Sequence, residues 1–565
     1  MKAFILSLLF YAPLFSQTTY PKDFFRSPLD IPLQLAGNFG ELRTNHFHAG
    51  FDLRTQQKEG LNVYAAGDGY ISRIKISPYG YGKAIYIDHP NGYTTVYGHL
   101  QSGSAVTEKY ILSQQYLLKS FEIDVFPKPR ELPVKKGDLI AYSGNTGGSE
   151  GPHLHFEFRD TKSEEIMNPL FFGFDMIVLD TKKPVITSVL AYPLSHDAKI
   201  NGSLSPQIVN LTKSPDGSYT SDPIRAMGKI GFGISGYDSQ DYGSGKNGIY
   251  KVASFDNGEF SFGYTFDQFA FDETRYINAL IDYPRFKKSG VRVQKLFLKQ
   301  PLAFEMFKGN ASLGQLEILP NTNHAFRIEA SDFQNNQLQI NIPVVYSNEG
   351  PAEQLGAKTG YLVKAEKDAA LEKGNFSIFV PAHTFYEDTY FDFEVDGKEV
   401  SFGNETIPAH TNFTVSITDD SIAEALRDKT FIASISGTRL NYNNTKRKGN
   451  TYTCYSRQPG KFKLALDTIK PKIALSKNIE GKWITKDKFI SATISDNLSG
   501  LKTFNAYLNG NWVLFEFDYK NRRITHWFAW DDFVVEGRNE LKIEATDNVG
   551  NSVIFETYFF RSKTP

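Results

Sequence analysis

From Gly60 onward, apolar and polar residues alternate with a period of two over short stretches, the pattern of half-buried strands. Tyr70-Ile71-Ser72-Arg73-Ile74-Lys75-Ile76 alternates in this way. Ala84–Asp88 and Tyr93–Tyr97 flank Pro90-Asn91-Gly92, a turn signal between two strands. Leu139–Tyr142 and His153–Arg159 read as two more strands on either side of a glycine-rich loop, Gly144–Pro152. One piece departs from the pattern. Val106–Phe121 carries Tyr110, Ile111, Leu117, Leu118 and Phe121 among Glu, Lys and Gln, which predicts a short amphipathic helix, with Pro127 and Pro129 ending any helix there. The segment to about Asp175 is thus expected to be a compact antiparallel β unit.

The later chain contains an internal echo. Asp180-Thr181-Lys182-Lys183-Pro184-Val185-Ile186 matches Asp467-Thr468-Ile469-Lys470-Pro471-Lys472-Ile473, and Ile328-Glu329-Ala330-Ser331-Asp332 matches Ile543-Glu544-Ala545-Thr546-Asp547. The paired segments lie much further apart in the first copy, which must hold a large insertion or be two modules. A Pro-led opening strand and a closing strand before Asp547-Asn548-Val549-Gly550-Asn551 suit a β-sandwich of about 100 residues. Between the copies lies a strand-rich block whose clearest strand is Phe376–Pro381. The expected fold class is mostly β: an N-terminal antiparallel β domain followed by several β-sandwich-like domains. The expected division is a signal peptide over 1–16, a first domain over 17–175 with an insertion at about 106–131, a β-rich region over 176–348, a β-rich domain of uncertain type over 349–466, and a β-sandwich over 467–565.

Composition narrows the partners. In 565 residues, 62 Lys+Arg against 63 Asp+Glu give a formal net charge of -1, so no basic excess exists to neutralise phosphates and no nucleic-acid partner is expected. The lone cysteine, Cys454, excludes intramolecular disulfides and cysteine-based zinc cages and reads as a small, half-buried strand residue. Lys2, the apolar run Ala3–Phe15 and Ser16-Gln17 resemble a cleaved secretion signal. No later apolar run is long enough to span a bilayer, so no integral membrane segment is expected after cleavage. The expected location is across the inner membrane, in a periplasm or at the cell surface.

Histidines cluster before residue 156: His46, His48, His89, His99, His153 and His155. The other five are scattered singly and read as surface or packing residues. His48 and Asp52 stand four apart around Gly50, which argues for a loop leading into a strand rather than a helix. His153-Leu154-His155 lies on a strand, so both rings project to one side and Leu154 to the other. Two nitrogens and one oxygen suit tetrahedral zinc with a fourth position open. His46-Phe47-His48 is itself a His-x-His, but only His48 has the Asp four residues on. His46 is therefore expected to pack or hydrogen-bond near the groove, His89 to be exposed in a turn, and Tyr97 to pack beside the site.

Asn45–Asp52, Tyr97-Gly98-His99-Leu100 and Ser149–Glu157, together with Ala66-Gly67-Asp68-Gly69 and Val134–Ile140, resemble the M23 zinc metallopeptidases of the lysostaphin or LytM type over about residues 36–160. The C-terminal copy of the echo, about 467–562, resembles bacterial immunoglobulin-like modules. The M23 resemblance implies that His48, Asp52 and His155 ligate Zn2+, while His153 and His99 stand beside the metal-bound water as catalytic residues. Zinc lowers the pKa of such water towards ~7, and two free imidazoles then divide proton transfer and oxyanion stabilisation. No His-Glu-x-x-His is present, so a glutamate-base zincin mechanism is not available. In latent relatives an asparagine near the metal blocks the open position, which makes Asn45 a secondary candidate. The resemblance implies a secreted zinc endopeptidase acting on the peptide cross-links of bacterial peptidoglycan, with the β modules free to take a protein partner. The alternative is a non-catalytic or autoinhibited wall-binding regulator of other wall hydrolases. Compared with shorter members, the connection Leu100–Val134 is extended, and it reads either as a lid or as a packing element against the later domains.

Overall fold

A computed structural model describes residues 20–243, 245–350 and 360–562. The secretion signal expected over 1–16 lies outside these residues. The architecture is predominantly β, with an antiparallel N-terminal domain followed by further sheet-rich blocks. Among the described residues no helix is long and apolar enough to cross a membrane.

The strand His153–Asp160 sits inside the N-terminal sheet because its alternate residues serve two sides. Leu154, Phe156 and Phe158 are fully buried in the core with Phe51, Leu53 and Tyr97. The residues between them, His153, His155, Glu157 and Arg159, face the other way. This strand pairs antiparallel with Phe51–Arg54 on one side and Tyr93–Gly98 on the other, which sets His155 opposite both Asp52 and Gly98. Lys83–Asp88 and Gly69–Ile76 continue the sheet outward. A smaller sheet orders Asn62–Tyr64, Leu139–Ser143 and Leu100–Gly103.

The extended connection contains one helix, Ala105–Leu118, ending earlier than Phe121 at Lys119 in a left-handed conformation (φ 48°). Its inward face is narrower than the apolar positions suggest: Thr107, Ile111 and Gln115 are buried, whereas Leu117 and Leu118 are exposed. Tyr116 instead points at the last module, where its hydroxyl bonds Asp531 and its ring meets Trp512 at 5.4 Å.

His89 is not exposed, as its place beside a turn suggested, but buried. Its Nδ1 meets the Asp68 carbonyl at 2.8 Å, Nε2 meets the Thr95 hydroxyl at 2.8 Å, and Phe25 covers the ring edge-on at 5.0 Å. The N-terminal segment around Phe24 and Phe25 folds over that turn, which local sequence does not announce.

The first core runs without a break from Phe25 to Val344, because Gln268–Phe269 adds to the N-terminal sheet through Ile166–Met167. In the first copy of the echo, Val185–Pro193, Ile224–Tyr237, Gln337–Tyr346, Asn323–Ser331 and Lys251–Asp256 share one sheet, which spans both matching segments. Residues from Val363 to Phe462 form a second core between two five-stranded sheets, which includes the buried Cys454. The last core lies between two four-stranded sheets.

Candidate metal centre and groove

His48, Asp52 and His155 converge. His48 Nε2 lies 3.0 Å from Asp52 Oδ1 and 3.2 Å from His155 Nδ1, and His155 Nδ1 lies 2.9 Å from the same Asp52 oxygen. The pairing register brings Asp52 and His155 together, and the loop before Phe51 returns His48 over them. Gly98 makes room on the far side: a Cβ there would press on His155 Cβ at 3.3 Å.

The outer atoms of all three side chains are held. The Asn38 carbonyl meets His48 Nδ1 at 2.8 Å, Glu157 Oε1 meets His155 Nε2 at 2.7 Å, and Arg43 Nη2 donates to Asp52 Oδ2 at 2.9 Å. With the Asn38 carbonyl and the Glu157 carboxylate taking the outer ring protons, the inner nitrogens present lone pairs. With both rings neutral, two lone pairs and a carboxylate oxygen face one another. This donor set fits a cation, and ligand atoms on a tetrahedral zinc stand roughly 3.3 Å apart. Without one, charge accumulates: despite burial, the bonds to Asp52 and Glu157 lift His155 to about 9. Burial works against ionising Asp52 as well, but the histidines around it hold it well below the carboxylate range.

Glu157 is fully buried and still ionised. Burial opposes its charge, but Arg159, at 2.6 and 2.8 Å, and His155 bring it down to about 2. Tyr81 also donates to Glu157, and its ring stacks on His155 at 4.9 Å. A carboxylate bonded to a ligating imidazole fixes the tautomer and raises ligand basicity.

His99 and His153 stand beside the trio, their rings 4.7 Å apart. His99 Nδ1 meets the Thr146 carbonyl at 2.8 Å, and His153 Nδ1 meets the Gly151 carbonyl at 2.8 Å, so each turns Nε2 away from its anchor. His153 Nε2 is 3.3 Å from Asp52 Oδ1. His99 occupies the left-handed region (φ 59°), a constrained conformation that aims its ring at the site. Burial, and then His155 and His153 nearby, push His99 down to about 3. All five residues line an open groove of about 1020 Å³. His46 also lines it, its Nδ1 2.9 Å from the Thr44 carbonyl. Asn45 is not among the lining residues; Arg43 is. Tyr97 is buried under the sheet, where its hydroxyl accepts from the Ala66 amide at 2.8 Å.

Sequence reasoning passed over Arg43, Asn38, Tyr81 and the pairing of Glu157 with Arg159. The alternation that marked His153 and His155 continues to Glu157 and Arg159, and that signal was sufficient to find the pair.

An antiparallel β domain carrying a convergent His/Asp/His set above an open groove defines a metallopeptidase-type centre. The profile of peptidase family M23 matches residues 46–119 and 127–169, and a Zu5-like domain profile matches residues 360–467. The chain is 32% identical over 146 residues to an uncharacterized metalloprotease of Haemophilus influenzae, covering 25% of this chain and 26% of that one. It is 35% identical over 118 residues to the DD-carboxypeptidase/endopeptidase Mpg of Neisseria meningitidis serogroup B, covering 21% of each. It is 33% identical over 143 residues to the peptidoglycan DD-endopeptidase ShyC of Vibrio cholerae, covering 24% and 27%. The matches span about a quarter of these relatives' lengths. The N-terminal domain therefore has the M23 zinc-metallopeptidase fold with its His/Asp/His site.

Proposed function

We propose that this protein is a zinc-dependent endopeptidase of the lysostaphin or LytM type that cleaves peptide cross-links of bacterial peptidoglycan. The observation that carries this reading is the meeting of His48, Asp52 and His155 on inward lone pairs with every outer atom anchored. Bound there, zinc would supply Lewis-acid activation of water and of the scissile carbonyl. His48, Asp52 and His155 hold the ion. His99 is neutral near pH 7 and, anchored through Nδ1, takes or returns a proton at Nε2. His153 offers Nε2 on the same side and steadies charge at the carbonyl oxygen. The substrate class is supported by the names of the Neisseria and Vibrio relatives. The openness of the groove supports catalysis over an autoinhibited regulator.

The remaining expectations are part of the same proposal. A secretion signal over 1–16 would deliver the protein outside the cytoplasm, where the wall lies. The blocks at 176–348 and 467–565 act as immunoglobulin-like modules, and boundaries near 349 and 467 are supported by the change of core at those points. The region 17–175 is the catalytic unit, although its core continues into the next module.

The test is digestion of purified peptidoglycan by the zinc-loaded chain, with mass spectrometry of the released fragments. Severed cross-link peptides are expected from the parent. His99→Ala and His153→Ala should each retain zinc but lose about 10²–10⁴-fold in rate. Intact cross-links after treatment with the zinc-loaded parent would contradict the reading.

A further inference from the structure

Away from the groove, carboxylates gather at two places, one in each copy of the internal echo. Asp180, Asp238 and Asp332 form one trio; Asp467, Asp496 and Asp547 form the other. Within each trio, one ligand oxygen from each member lies within 4.8 Å of the others. All are buried except Asp496, which is half-buried.

The two trios are built alike. Asp180 and Asp467 each accept the backbone amide two residues on, at 3.0 and 3.1 Å. Asp332 accepts the amide of Asn336 at 2.8 Å, and Asp547 that of Asn551 at 2.7 Å. The Asn336 side chain then ties Asp332 to the Asp180 carbonyl (2.6 and 3.0 Å), and the Asn551 side chain ties Asp547 to the Asp467 carbonyl (2.7 and 3.0 Å). Among the described residues no Lys, Arg or His forms an ion pair with any of the six.

A second observation at each place points to a ligand. Asn247 is 4% exposed and lines the same cavity of about 30 Å³ as the first trio, and its Oδ1 has no hydrogen-bond partner. Asn247 and Asp238 exchange both backbone hydrogen bonds (2.8 and 2.9 Å), so their side chains lie on one side. Ser499 is 2% exposed, and its amide donates to Asp467 Oδ2 at 2.9 Å while its Oγ has no partner. Asp238 Oδ1 and Asp496 Oδ1 are likewise unpartnered. Buried oxygens left bare are costly, more so when charged, and one cation satisfies them together. The donors are all oxygen, which selects a hard cation over zinc. Three carboxylates and a further oxygen gathered at each place suit calcium, which takes many oxygen ligands, better than magnesium, which keeps several waters and binds through one or two carboxylates.

We propose that Asp180, Asp238 and Asp332 with the Asn247 amide oxygen bind one calcium ion, and that Asp467, Asp496 and Asp547 with the Ser499 hydroxyl bind another. The first site lies at the joint with the catalytic domain. Gly248, next to Asn247, exchanges two 2.8 Å bonds with the Asn38 side chain, and the Asn38 carbonyl anchors His48. Calcium there braces the loop that positions a zinc ligand. The second site ties the last module to the linker that enters it.

The test is equilibrium binding of calcium to the zinc-loaded full chain, with thermal unfolding in parallel. Two calcium ions per chain are expected for the parent, one each for Asp238→Asn and Asp496→Asn, and none for the double variant. Calcium should raise the parent's Tm, and that rise should vanish in the double variant. In calcium-free buffer the Asn variants should melt no lower than the parent, since each removes a crowded charge. Ser499→Ala and Asn247→Ala, which leave the trios intact, should weaken binding at their own sites only. The proposal is overturned if parent and double variant bind the same amount of calcium, if calcium raises both Tm values equally, or if magnesium raises the parent's Tm and calcium does not.

Discussion

Glu157 shows how much of the centre rests on a side chain that touches no substrate. It is fully buried, bonded to His155, held by two Arg159 bonds and capped by Tyr81. Glu157→Gln keeps the shape but removes the charge that sets the His155 tautomer and leaves Arg159 facing a neutral amide. The expected result is a loss of about 10–100-fold in zinc affinity or cleavage rate, with the circular dichroism spectrum unchanged. Competition with a chromophoric chelator measures the affinity directly. The convergent trio itself was legible in sequence, because a His four residues before an Asp and a His-x-His on a strand both carry spacing. Their anchors were not. The Asn38 anchor is a backbone carbonyl, which any residue supplies, and Arg43 reaches Asp52 through a loop whose path no local pattern encodes. His89 misled for a related reason: its turn signal was correct, but the segment that buries it comes from far upstream.

Strands were more legible than the helix. Period-two alternation located Gly69–Ile76, Lys83–Asp88, Tyr93–Gly98 and His153–Asp160 within a residue or so, since each has one core face. The helix Ala105–Leu118 is stopped by backbone geometry rather than by the prolines downstream. Lys119 adopts the left-handed cap and donates its amide to the Tyr116 carbonyl. A side chain there costs about 1 kcal/mol that glycine does not. Lys119→Gly is therefore expected to raise the Tm of the domain by a few degrees. An unchanged or lower Tm in differential scanning calorimetry would show that the cap is not under strain. The same helix bears on whether the insertion is a lid or a packing element. Tyr116 and its contacts with Trp512 and Asp531 favour packing, because they face the last module and not the groove.

That contact belongs to a larger closure of the chain on itself. The last module returns to the N-terminal domain through an ion pair between Lys83 and Glu516, a 2.7 Å bond from Lys520 to the Asn145 carbonyl, and Tyr79 against Tyr519 at 4.9 Å. Tyr79 precedes Gly80 and Tyr81, both of which line the groove. Pattern in sequence did not announce this return, because it is made by isolated side chains more than 350 residues from their partners. Glu516→Gln combined with Tyr116→Phe strips the contact of its charge pair and its hydrogen bond, leaving the largely buried Lys83 ammonium unpaired. Faster hydrogen exchange at residues 105–118 and a larger radius of gyration by small-angle scattering are expected. Unchanged values would mean that the contact does not hold the modules together.

The central claim is that His48, Asp52 and His155 bind one zinc ion together. Diffraction data collected on either side of the zinc absorption edge, from crystals of the zinc-loaded chain, test it most directly. The account predicts a single anomalous peak within coordinating distance of His48 Nε2, an Asp52 oxygen and His155 Nδ1, absent in His155→Ala. A zinc-loaded crystal with no peak between those atoms, or with the same peak retained in His155→Ala, would contradict it.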